Sequence, residues 1–130
     1  MVYSDEYPAN SPYSRACWTR FRQARHAGPP PQAAGWARGS ARGRSEDTEI
    51  LFWLCPDPLD ARFQAHGSPW AIAAAELLCE CWLAGQAIPD AHAMQRLLSA
   101  PPDRLDAFFT VEDAWQAART ALDTDTGEVG

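Results

Sequence analysis

The 130-residue chain contains no lysine; all 11 of its basic residues are arginines. With the abundant alanine and proline, that usage reflects a compositional bias and carries no functional weight. No run of about 18 apolar residues occurs, which excludes a membrane-spanning helix. The opening MVYSDEYPAN is acidic and polar, unlike a secretory signal. The expectation is a cytoplasmic protein with reduced thiols. No nucleophile–base set, phosphate-cradling glycine loop or metal constellation is visible, so no enzyme, no catalytic residue and no cofactor is expected.

Charge is unevenly spread. Residues 1–50 hold seven arginines against five acids, whereas residues 51–130 hold four arginines against twelve. No acid at all lies between Arg15 and Arg44. This asymmetry predicts a basic arm over residues 1–47, an acidic domain over 48–122 and a polar tail over 123–130.

Four cysteines are present: Cys17, Cys55, Cys79 and Cys81. On a helix, Cys79 and Cys81 would point about 200° apart, so one metal would not take both. His26, His66 and His92 add no ligand spacing, and no metal site is expected.

Within the arm, Ser14 can cap a short helix, RACWTRFRQARHA, closed by Gly28. Trp18 and Phe21 would dock on the main domain while the arginines stay wet. Residues 28–47, rich in Gly, Pro, Ala, Ser and Arg, read as a flexible linker. EILFWLC (49–55) fits a strand or an extended buried segment. The two prolines of CPDPLDARF (55–63) argue against a central strand there.

The clearest element is a helix capped by Ser68, with Pro69 at its first position and Gly85 at its end. It is apolar nearly all round, so it is central to the domain or also meets a partner. Ile72, Cys79 and Leu83 are the candidate interaction surface. Glu76 and Glu80 form a narrow strip expected to be solvated. Asp90 can cap a second helix, AHAMQRLLS, with Ala91, Met94, Leu97 and Leu98 facing inward. DRLDAFF (103–109) reads as a third, short helix, and the three should pack as a bundle. TVEDAWQAARTALDTD reads locally as a further helix, with Thr110 and Asp113 resembling a capping box.

The run Leu77, Leu78, Trp82, Gly85, Ile88, Pro89, Asp90, followed by RLL (96–98), FFTVEDAW (108–115) and Arg119, resembles the YdaU-like prophage family. Asp57 and Leu59 resemble its opening Asp-x-Leu. The resemblance spans residues 57–122. It implies a mainly α, winged-helix-like three-helix domain near phage replication initiators, with a β-hairpin wing at the Phe-Phe…Trp…Arg region. The residues leave wing and helix both open at 110–122. The reading that follows is a phage accessory protein of DNA replication, binding nucleic acid weakly through Arg15, Arg20, Arg22, Arg25, Arg38, Arg42 and Arg44, with Arg96 and Arg119 on the domain. The alternative is an acidic protein-interaction module without DNA binding. The partners expected are DNA, a phage or host replication protein, or a second copy of the chain.

Overall fold

In the computed structural model, residues 10–32, 35–43 and 48–127 are described. They form a three-stranded antiparallel sheet packed against four helices. The order is α1 (Arg15–Arg22), β1 (Ala37–Arg42), β2 (Glu49–Pro56), β3 (Leu59–His66), α2 (Pro69–Leu83), α3 (Ala91–Leu97) and α4 (Leu105–Gly127). The strands lie in the order β1-β2-β3.

β2 is central because it carries the densest apolar alternation. Ile50, Phe52 and Leu54 are fully buried, and they stand in register with Ala41, Gly39 and Ala37 on one side and Ala65, Phe63 and Ala61 on the other. Antiparallel pairs of this kind set the register, since a one-residue slip would turn the apolar set outward. The edge strand β1 contributes only small residues to this face. That lets α4 lie directly on it: a Cβ on Gly39 would sit 2.1 Å from the Ala118 nitrogen. Above the sheet, Trp115 of α4 meets Phe52 edge-on at 5.0 Å and Trp82 of α2 at 6.0 Å, joining β2, α4 and α2.

α2 is the central helix, as its all-round apolarity predicts. Ten of its fifteen residues are buried, between α1 on one side and β3 and α4 on the other. Ser68 caps it by accepting the Ala71 N–H. α1 is anchored at its start, where Ser14 Oγ accepts the Cys17 N–H and donates to the Leu98 carbonyl. Tyr13 packs edge-on against Trp70 at 5.4 Å. At the start of α3, Asp90 caps Ala93, and Glu112 of α4 accepts the Ala91 N–H.

Several expectations are corrected. The described residues form no winged-helix three-helix domain, and residues 110–122 form no wing but lie inside the 23-residue α4. LDAFF (105–109) and TVEDAW (110–115) are parts of that one helix, while Asp103 and Arg104 belong to the 3₁₀ turn Pro102–Arg104 before it. Thr110 is not a cap but sits within the helix, its hydroxyl donating to the Asp106 carbonyl. The linker expected over 28–47 instead supplies β1, so a boundary at residue 47 would cut between two paired strands. The strand that follows Pro56 and Pro58, β3, lies at the sheet edge rather than its centre, in line with the two prolines, which sit at the tight β2–β3 turn. Leu97 does not face inward; it is 56% exposed, and Leu98 is the buried residue.

Candidate functional site

The most polar interior feature lies between α1 and α2. α1 ends at Arg22, and the chain then runs beside β3. Phe63 donates its N–H to the His26 carbonyl at 2.9 Å, and Gly28 donates to the Phe63 carbonyl at 2.7 Å. This short parallel bridge sets His26 opposite Glu76 of α2. Glu76 is 1% exposed, and both carboxylate oxygens are used. Oε1 accepts the His26 backbone N–H at 3.0 Å, and Oε2 faces His26 Nδ1 at 2.7 Å. Burial pushes the Glu76 carboxyl up, and the His26 hydrogen bonds and charge pull against that shift. With Glu76 ionised, Nδ1 carries a proton and Nε2 is the ring nitrogen left over.

One turn further along α2, Glu80 accepts from Arg20 Nε at 3.1 Å, while Arg20 Nη1 donates to the Ala16 carbonyl at 3.2 Å. These pairs line a cleft of about 280 Å³ together with Thr19, Gln23 and Arg25. The expected solvated strip of Glu76 and Glu80 is therefore half wrong. The signal for Glu76 was present: a lone acid inside a helix apolar on all sides must be interior, and an interior carboxylate needs a partner.

The four cysteines do not gather. Cys17, fully buried on α1, donates its thiol to the Pro69 carbonyl at 3.6 Å, and burial pushes its pKa up to about 12. Cys79, also fully buried, and Cys81 are raised by burial too, with neighbouring carboxylates adding to the shift. Cys55 is on β2, 9% exposed. Every cysteine and histidine of the chain falls among the described residues. Among these residues no three His, Cys, Asp or Glu side chains converge to hold a metal ion.

The candidate arginines are scattered. Arg20 and Arg25 share the cleft. Arg15 is exposed on α1, and Arg22 lies 5.8 Å from the Trp18 ring. Arg38 is exposed on β1, Arg42 pairs with Glu49 at 3.1 Å, and Arg96 is exposed on α3. Arg119 pairs with Asp123 at 3.6 Å. Arg44 lies outside the described residues. Of the candidate interaction surface, Cys79 is interior, and Ile72 and Leu83 are half-buried against the core. No described helix is long and apolar enough to cross a membrane.

No protein family and no curated protein matches the chain. Among solved structures, the chain is similar to a putative iron–sulfur cluster assembly scaffold protein for the SUF system, SufU of Fervidobacterium islandicum AW-1. The TM-score is 0.55 at 16% identity, over 85% of this chain and 96% of that one. That likeness fixes the fold. It overturns the YdaU-like resemblance, whose residues here fall in the β2–β3 turn, β3, α2, the α2–α3 connection, α3 and α4. The replication-accessory reading and its interaction-module alternative fall with it.

Iron–sulfur clusters are held by cysteine thiolates. Four separated, buried thiols, three of them held protonated by burial, do not fit that requirement. The chain thus has the SufU-like fold, and its described residues hold no cluster-binding donor set.

Proposed function

We propose that this protein serves iron–sulfur cluster assembly as a non-enzymatic, cytoplasmic accessory of SufU-like fold that carries no cluster on its own cysteines. The observation that carries the proposal is the structural likeness, which spans nearly the whole of the SufU chain. The cluster is cargo in that reaction, and its cysteine-based carriage needs thiolates brought to one place. The cysteines of this chain are instead core residues, Cys17 and Cys79 being fully buried. The protein therefore acts beside a cluster-bearing protein rather than as the bearer.

The test adds the purified full chain to a reaction in which a cluster-loaded scaffold passes its cluster to an apo-ferredoxin, followed by visible circular dichroism. A transfer rate that changes on adding stoichiometric protein, with binding to the scaffold seen by calorimetry, is expected. An unchanged rate in excess protein and no binding heat would overturn the proposal.

A further inference from the structure

The register of β1 shows which of its backbone groups face out of the sheet. Gly43 donates its N–H to the Thr48 carbonyl at 2.8 Å, which makes the two a hydrogen-bonded pair. Such pairs alternate along an antiparallel ladder. Ala37, Gly39 and Ala41 therefore turn their N–H and C=O groups toward β2, and Arg38, Ser40 and Arg42 turn theirs away from it. Among the described residues no backbone group bonds to these outward groups. The opposite edge of the sheet is already used, because Phe63 of β3 donates its N–H to His26 and accepts from Gly28.

The open edge is continuous and supported. No proline interrupts β1, and the backbone of α4 lies against Gly39 and holds the strand from behind. A strand held in this way can take an added extended segment without first being ordered.

The side chains select the segment. Arg38, Ser40 and Arg42 are exposed on the sheet face away from α4, and β1 contains no acid. Arg38 has no ion-pair partner among the described residues, and Arg42 meets Glu49 at 3.1 Å with both side chains more than half exposed. A second copy of β1 suits this edge poorly. In a two-fold pair the strands run antiparallel, and centring them on Ser40 sets Arg38 opposite Arg42 twice, like charge against like. An acidic segment meets both arginines with opposite charge. On the same face a cavity of about 370 Å³, lined by Arg38, Ser40, Leu51 and Gln64 among others, gives its side chains room.

We infer that the outer edge of β1 binds an extended acidic segment of another protein as an added strand, with carboxylates opposite Arg38 and Arg42. The inference stands apart from a role in cluster assembly.

The probe is the labelled peptide Ser-Glu-Val-Thr-Val-Glu-Ser, added to the full-length protein. Fluorescence anisotropy gives the affinity, and amide correlation spectra give the site. Saturable binding is expected, with the amides of Arg38, Ser40 and Arg42 shifted and slowed in solvent exchange. N-methylation of the peptide at both Glu and at Thr keeps its charge but removes the pairing N–H groups, and should abolish binding. Arg38→Glu, at an exposed position, should weaken binding at least about tenfold and favour the counterpart Ser-Lys-Val-Thr-Val-Lys-Ser. Arg96→Glu, exposed on α3, should leave it unchanged. The inference is overturned by the absence of saturable binding, by equal binding of the N-methylated peptide, by unchanged affinity in Arg38→Glu, or by shifts confined to amides outside β1. Amides of Arg38, Ser40 and Arg42 already protected in the free protein would also overturn it. Sedimentation would then assign the edge to a second copy if the protein is a dimer, and to the chain's own acidic ends if it is a monomer.

Discussion

Gly39 of β1 and Ala118 of α4 are in direct backbone contact: a Cβ at Gly39 would lie 2.1 Å from the Ala118 nitrogen and 2.5 Å from the Ala117 carbonyl carbon. No side-chain rotation can relieve such a clash, so the helix or the strand would have to move. Gly39→Ala should cost at least about 2 kcal/mol of stability. Urea unfolding of the two proteins tests this, and matching midpoints would show that α4 does not rest on β1.

The adjacent residues Leu97 and Leu98 should separate cleanly. Leu98 is fully buried, and Leu98→Ala should destabilise by about 2–4 kcal/mol. Leu97 is 56% exposed, and Leu97→Ala should change stability by no more than about 0.5 kcal/mol. Thermal melts of both variants decide it; equal losses would place Leu97 in the core, where helical periodicity alone had put it.

Those two leucines show how far sequence pattern reaches. α2 was legible in full, because Ser68, Pro69 and Gly85 punctuate it and its apolar residues have no competing period. β2 was legible from its β-branched and aromatic content. β1 was not, because Ala-Arg-Gly-Ser-Ala-Arg lacks large apolar residues, and its small side chains matter only once α4 is known to lie on them. β3 was hidden by the prolines that in fact shape the turn before it. At the cleft, Glu76 was visible as an oddity, but His26 is fifty residues away and is brought to it only by the bridge to Phe63.

The Glu76–His26 pair predicts a pH dependence of defined sign. The folded-state carboxyl is raised above its ordinary value of 4.5, chiefly by burial. Between the unfolded and folded pKa values the folded state binds more protons, so this group's contribution to stability falls as pH rises through that window. Below 4.5 the penalty is absent; above the raised pKa it is complete. Glu76→Gln removes the titration. The stability of the native chain relative to this variant should therefore decline as pH is raised from 4.5. Denaturation midpoints across that range check it, and parallel curves for the two proteins would refute it.

Thiol chemistry gives an independent check on the cysteine environments. Cys17, with its pKa near 12, and Cys79 are fully buried, so neither should react with an aromatic disulfide reagent in the native protein at neutral pH. Cys55 and Cys81, 9% and 8% exposed, should react slowly, and all four should react after denaturation. Mass mapping of the labelled sites reads this out. Rapid native labelling of Cys17 or Cys79 would contradict the packing described.

The SufU-like fold of this chain brings no set of cysteine thiolates together to hold a cluster. Anaerobic incubation of the reduced full-length protein with ferrous iron and sulfide, followed by desalting and visible absorption, tests it most directly. No bound iron or sulfide and no charge-transfer absorption are expected. A stoichiometric cluster that survives desalting and is lost when the cysteines are replaced by serine would contradict it.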